Sequence, residues 1–370
     1  MSSRDYYKKR FGMKEVINAN GRMTTIGGSI MPQEVLKELV DSAPYYVRLR
    51  ELQEKASPVI AKLTGAEAGY VTSGAAAGIV IATAACLAGS DREKGTRLPD
   101  TTGMANEVII QAAHNIHWAR MLKVAGAKVV VVGDTKKTTA QDIRKAITNK
   151  TVSLHFIVSH WVYEQPSLVP LEEYVKIAHE CNLPVTVDAA AEYDIKKYIG
   201  AGGDLVIYSG GKEIEGPNDT GFVCGKASLI KACQVQGELI GRPMKVSKEE
   251  VCALLTALER HAKKDSKKSM AEQRKLLTWI QKQLEGVPNI RMQITRDETG
   301  RPIERLEIAL EKGLGKTVED VVKELQEGDP IIEVRSEYRA MGKFHIDPRP
   351  LLLGQEKVLA ERLKKVLSKA

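Results

Sequence analysis

Three short stretches of this 370-residue chain combine residue types that could do chemistry. Leu183-Pro184-Val185-Thr186-Val187-Asp188-Ala189-Ala190 reads as an apolar strand ending in a carboxylate. Burying an acid at such a place is costly unless something pairs with it. A protonated pyridine nitrogen is one such partner, because the acid keeps the ring cationic and able to withdraw electrons. A helix cap or a metal ligand is the plainer alternative. Asp204-Leu205-Val206-Ile207-Tyr208-Ser209-Gly210-Gly211-Lys212 is a second strand, closed by Ser-Gly-Gly-Lys. Lys212 is either a surface amine after a turn or an amine held by glycines at the same sheet edge as Asp188. The tight loop 215–221 and the short strand 222–224 that follow favour the second reading. The interval between Asp188 and Lys212 also has room for one helix and one strand, which puts the pair on nearby strand ends. The third stretch, Val71-Thr72-Ser73-Gly74-Ala75-Ala76-Ala77-Gly78, runs from a strand into a small-residue helix start. Exposed amides at a helix N-terminus bind phosphate, although a Gly/Ala run also serves close helix–sheet packing.

These residues need elements to position them, and the hydrophobic pattern supplies an alternation. Helical periodicity covers 32–42, 48–63, 74–88, 115–124, 139–147 and 170–181, with a loop at 89–106. Strand-like segments fall at 68–72, 107–111, 127–132, 151–158, 183–187 and 204–208. Short strands separated by helices predict an α/β fold, a mostly parallel sheet of the seven-stranded type with helices on both faces. Right-handed crossovers gather the strand C-terminal ends along one edge. A second region reads as one long helical stretch 247–284, strands 289–295 and 303–310, a helix 317–326, strands 331–335 and 343–347, and a last helix 355–368. The expected organisation is an arm 1–30, a large domain 31–244 and a small C-terminal α+β domain 245–370.

Composition narrows the class. A 43% hydrophobic and 28% charged chain is ordinary for a globular protein, and no apolar run approaches the roughly 20 residues that span a bilayer. The first ten residues lack the apolar core of a signal peptide. Cys86, Cys181, Cys224, Cys233 and Cys252 are odd in number and unpatterned, which suits a reducing, cytoplasmic setting better than disulfides or a metal site. The net charge of +8 sits largely in Lys-rich helical stretches at 260–268 and 363–369. Without stacking aromatics or a known motif these read as solvated faces rather than a nucleic-acid surface, though their field also favours small anionic substrates.

Taken together, these stretches resemble a family. The chain is similar to fold-type I pyridoxal 5'-phosphate (PLP) enzymes, and within them to the selenocysteine synthase-like, L-seryl-tRNA(Sec) selenium transferase-related proteins, in their D-glucosaminate-6-phosphate ammonia-lyase-like branch. Nearly the whole chain carries the resemblance. Besides the Asp188, Lys212 and 72–78 segments, it includes Val16-Ile17-Asn18-Ala19-Asn20-Gly21, Thr25-Ile26-Gly27-Gly28-Ser29 and Ile240-Gly241-Arg242-Pro243-Met244-Lys245-Val246.

The resemblance implies that Lys212 carries PLP covalently, Asp188 pairs with its ring nitrogen and Ala190 lies against one ring face. Ser73, Gly74, Ala75 and Ser209 would hold its phosphate. His114, in Gln111-Ala112-Ala113-His114-Asn115, would stack on the ring, with His117 and Trp118 as rivals. The implied activity is a lyase reaction, α,β-elimination of a β-hydroxy amino acid or amino-sugar acid to a 2-keto acid and ammonia. Arg242, Arg335, Arg339 and Arg349 are the candidates for binding the anionic substrate. A homodimer is also implied, with the segment 18–29 or Tyr45 and Tyr46 reaching the neighbour's site. A transferase acting on seryl-tRNA is the first alternative, and it is disfavoured because the family core begins by about Asp5 and leaves no room for an added tRNA-binding domain. Racemase or aldolase chemistry and a silent scaffold are the others.

Overall fold

The structure, a computed structural model, describes residues 6–134, 136–159 and 168–368. Its strands, in chain order, are β1 (Val16–Ala19), β2 (Ala68–Thr72), β3 (Glu107–Gln111), β4 (Lys128–Val132), β5 (Thr151–Ile157), β6 (Val185–Asp188), β7 (Leu205–Ser209), β8 (Gly221–Gly225), β9 (Ile290–Arg296), β10 (Glu304–Leu310), β11 (Ile331–Val334) and β12 (Lys343–Ile346). They belong to two compact units. The larger is 31–263; the smaller joins 1–30 to 264–370.

The larger unit holds a seven-stranded sheet in the order β2-β8-β7-β6-β5-β3-β4. Strands β7, β6, β5, β3 and β4 run parallel, and β8 runs antiparallel to both β2 and β7. Every residue of β3, β6 and β8 is buried, as expected where helices cover both faces of a sheet. One face carries the helix Gly74–Ala88, which is apolar around its whole circumference and therefore interior. Its Ile79, Val80 and Ile81 form a core with Ile110, Ile207, Val223 and Cys233. On the other face, Ile60, Tyr174, Leu254 and Ala257 pack with Val71, Val187, Val206 and Phe222.

In the smaller unit β12, β10 and β9 form an antiparallel sheet and β1 pairs in parallel with β11. Leu277, Ile280, Leu306, Ile332, Phe344 and Leu363 are among its buried core residues.

Three expected elements differ. The stretch 247–284 is two helices, Lys248–His261 and Ser266–Gln283. The Asp265 carboxylate accepts the amides of Lys267 and Lys268, a cap that starts a helix rather than continuing one. Asp91 does the same for the helix Arg92–Arg97, which interrupts the loop expected at 89–106. The segment 115–124 is a 3-10 turn, His117–Ala119, followed by the short helix Arg120–Val124. Among the described residues no helix is long and apolar enough to cross a membrane.

Candidate active site

Parallel pairing brings the ends of β5, β6 and β7 to one edge. Asp188 closes β6 between Ile157 of β5 and Ile207 of β7. The backbone beyond it stays tied, with Ala189 N–H donating to Ile207 O at 2.9 Å and Ser209 N–H to Ala190 O at 3.3 Å. Asp188 is only 5% exposed, and one carboxylate oxygen accepts from the Ala190 amide at 3.1 Å. Burial pushes its carboxyl above the usual range, while the positive charge of Lys212 and the Ala190 hydrogen bond pull the other way. The fold thus brings Asp188 and Lys212 within reach of each other's charge.

Glycines shape the approach to Lys212. A Cβ on Gly211 would lie 2.4 Å from Asn218 Cα, and one on Gly210 would meet Thr220 Oγ1 at 2.1 Å. The loop 215–221 therefore folds back onto this turn, with Gly210 N–H donating to Thr220 O at 2.7 Å and Gly216 N–H to Gly210 O at 2.8 Å. Glu215 takes a left-handed conformation (φ 62°) that an L side chain seldom adopts. Its carboxylate is held by Arg260 at 2.7 Å.

The cup at 73–75 stands beside this turn. Thr72 of β2 and Ser209 of β7 both face Gly221 of the intervening β8. A Cβ on Gly221 would come within 2.6 Å of Gly74 C and 2.8 Å of Ala75 N, so β8 lies directly against the helix start. Gly74 opens the helix with φ +82°, and the amides of its first turn have no partner within the helix. Ser73 makes no capping bond. Its hydroxyl donates instead to Met244 O at 2.7 Å.

His114 follows β3 in the 3-10 turn Ala112–His114. It is fully buried, its ring meets Phe156 edge-on at 4.5 Å, and neither ring nitrogen has a hydrogen-bond partner. Burial, with a smaller contribution from His155, pushes its pKa down to about 3. His117 and Trp118 stack on each other at 3.8 Å in an exposed turn. His155 escaped the sequence reading because it sits inside an apolar strand. Its Nδ1 lies 2.7 Å from Thr186 Oγ1, and burial lowers its pKa to about 4.

The four arginines divide between the units. Arg242 is exposed in the turn Arg242–Met244 of the larger unit. The other three belong to the smaller unit. Arg339 is exposed and lies 3.4 Å from Glu319. Arg349 is engaged with Asp347 through both Nε (2.9 Å) and Nη2 (2.6 Å). Arg335 is 5% exposed; its Nε lies 3.1 Å from Glu337, and its Nη2 has no hydrogen-bond partner. Sequence reasoning did not single out Arg305, which is fully buried between Asp297 (2.8 Å) and Asp347 (3.6 Å). Burial opposes charge on both acids, but the guanidiniums around them outweigh it and hold both carboxyls far below the usual range.

Comparison with known proteins places the fold and the family. The L-seryl-tRNA selenium transferase family model matches residues 16–317. A 5'-C-glycyluridine monooxygenase-decarboxylase from a Streptomyces species is 33% identical over 97% of this chain and 91% of its own length. The D-glucosaminate-6-phosphate ammonia lyase of Salmonella typhimurium is 33% identical over 98% of both chains. A solved D-glucosaminate-6-phosphate ammonia-lyase superposes with a TM-score of 0.89 at 32% identity, covering 99% of this chain and 98% of that one. An alanine aminotransferase from Pyrococcus furiosus shares the fold, with a TM-score of 0.54 at 16% identity over 99% and 95% of the two chains. The seven-stranded sheet with its single reversed strand is thus the aminotransferase-type α/β fold that the sequence led us to expect, and the chain belongs to the L-seryl-tRNA selenium transferase family.

Proposed function

We propose that this chain is a PLP-dependent ammonia-lyase acting on a small anionic β-hydroxy amino acid or amino-sugar acid. The observation that carries the reading is that buried Asp188, at the end of β6, and Lys212, in the turn after the adjacent β7, lie beside a helix start against which β8 packs so closely that Gly221 has no room for a side chain. This arrangement suits the cofactor. Asp188 can pair with a ring nitrogen, Ala190 can lie along a ring face, and Lys212 can supply the amine for covalent attachment. The free amides of Gly74 and Ala75, with Ser209 across Gly221, can take the phosphate. His114 is the candidate to flank the ring; a neutral, buried imidazole suits an aromatic neighbour better than a charged one would. When bound, PLP supplies an electron sink that makes the bonds to the substrate's α-carbon labile.

The remaining roles fall to the chain. With PLP bound, Asp188, buried between β5 and β7, would face the protonated ring nitrogen, a partner whose charge offsets the cost of burying a carboxylate. With PLP in place, Lys212 Nζ would be the base that takes the proton from the substrate's α-carbon. Loss of the β-hydroxyl, uptake of water and release of ammonia then give a 2-keto acid. Arg335 is the strongest candidate for the substrate's carboxylate, since its Nη2 is buried and unpaired, whereas Arg349 is already satisfied by Asp347. Arg242 is exposed and can meet a more distant anionic group; Arg339, paired at the surface, is the weakest candidate. The test is release of keto acid and ammonia from D-glucosaminate 6-phosphate and simpler β-hydroxy amino acids, with and without PLP. No product from any of them overturns the reaction.

A second reading rests on one observation: the Streptomyces monooxygenase-decarboxylase is as similar to this chain as the lyase is. Product formation under strict exclusion of oxygen supports elimination, whereas oxygen-dependent release of carbon dioxide would favour that alternative.

We also propose a homodimer. In the larger unit Val40, Tyr45, Tyr46, Val47 and Leu49 are all exposed, an apolar cluster of the kind that marks a protein interface. Tyr45→Asp with Tyr46→Asp should convert a dimer to a monomer of half the mass in sedimentation, and a monomeric wild type with full activity refutes the idea. The five cysteines are all unpaired, in keeping with work in a reducing cytoplasm.

A further inference from the structure

The hydroxyl of Ser73 is committed elsewhere than the cup it borders. A serine at the start of a helix ordinarily accepts from an amide two or three residues on, yet Ser73 makes no such bond. It donates to Met244 O at 2.7 Å, across 171 positions of sequence. A hydroxyl has one proton to give, so while this bond stands Ser73 cannot donate to a phosphate.

Met244 ends the turn Arg242–Met244, and the rest of that turn is fixed from the far side. Gly241 N–H donates to Gln236 O at 2.8 Å, and Arg242 N–H to Leu239 O at 3.0 Å. A Cβ on Gly241 would lie 2.7 Å from Gly237 Cα, so the turn presses on the end of the helix Ala227–Glu238. Downstream, Ser247 and Glu250 form the capping box of the next helix. The cup reaches this turn through Ser73.

From this the geometry points to Ser73 as a positioning residue: it latches the Arg242–Met244 turn to the phosphate cup, coupling cofactor loading to the order of the segment that carries Arg242. The coupling to cofactor rests on the function proposed above, but the latch itself does not.

Hydrogen–deuterium exchange on the full-length protein tests it, without PLP and then with PLP, for wild type, Ser73→Ala and Ser73→Thr. In Ser73→Ala the amides of Arg242, Met244, Lys245 and Val246 should exchange about fivefold faster in both states, the loss of one typical hydrogen bond. Ser73→Thr, which keeps the donor, should restore wild-type protection, and this also separates a lost latch from misfolding. PLP should slow exchange at these amides in wild type and leave them unslowed in Ser73→Ala, with the PLP dissociation constant changed by less than about twofold. Unchanged exchange in Ser73→Ala removes the latch. A tenfold or greater loss of PLP affinity in that variant gives the hydroxyl to the phosphate and overturns the assignment. If no form binds PLP the functional reading fails, and the cofactor-free comparison still decides the latch.

Discussion

Gly221→Ala is the most searching perturbation of the site, because its effect can be worked from distances alone. The added methyl carbon would stand 2.6 Å from Gly74 C, 2.7 Å from Tyr208 O and 2.8 Å from Ala75 N. All three are backbone atoms of fixed elements, so no flexible side chain can swing away. Overpacking of this kind costs about 3 kcal/mol. In a unit the size of 31–263, each kcal/mol moves the melting temperature by about 2–4 °C, so a fall of about 6–12 °C is expected. The relief that remains is for β8 to shift away from the helix start, which widens the cup and should abolish saturable PLP binding in a spectrophotometric titration. Gly200→Ala is the control, since a Cβ there meets nothing within 4 Å. A Gly221→Ala protein that melts within about 2 °C of wild type and titrates normally with PLP would show that β8 does not brace the cup.

Other expectations follow from the same site. Lys212→Ala should lose the visible band of bound cofactor and about 10²–10⁴-fold in turnover, read by spectrophotometry and keto-acid assay; a coloured, active variant would exonerate the lysine. Asp188→Asn should weaken PLP binding about 10–150-fold, the worth of a hydrogen bond to a charged group, measured by titration. The buried histidines set an acid limit. Their folded pKa values, about 3 for His114 and about 4 for His155, lie below the ordinary value of about 6.5. The unfolded chain therefore binds the extra protons. Stability is full above about pH 6.5 and falls as pH drops toward 4, by about 2 kcal/mol per histidine between pH 6.5 and 5. Melting curves of cofactor-free protein across that range should show this decline, and His114→Phe should flatten it; an identical slope in the variant would refute burial as the cause.

The parts of the site that were legible in the sequence share a cause. Asp188 and Lys212 each end an apolar strand at a turn, so local patterning alone put them at one edge, and the glycines beside Lys212 marked a close approach that the positions of Thr220 and Asn218 explain. What was not legible depends on distant partners. Nothing near Ser73 announces Met244 as the acceptor of its proton. His155 has the alternation of any strand residue, and only its bond to Thr186 on the neighbouring strand shows it to be neutral and interior. Arg305 looks like any arginine in β10 until Asp297 and Asp347 close around it. The break between the helices Lys248–His261 and Ser266–Gln283 was written locally, in Asp265, but sits inside a run of lysines whose polarity masked it.

The pairing of β1 with β11 carries a consequence for biogenesis. Val16 finds its partner in Ile331, so on the ribosome β1 waits, edge uncovered, until the distant β11 has been made. Residues 31–263 can collapse around their own sheet meanwhile, since every strand of that sheet comes from within the segment. Synthesis should thus pass through a nascent species with a formed seven-stranded sheet and an orphaned β1, the stage at which chaperone capture or misassembly between neighbouring nascent chains is most to be expected.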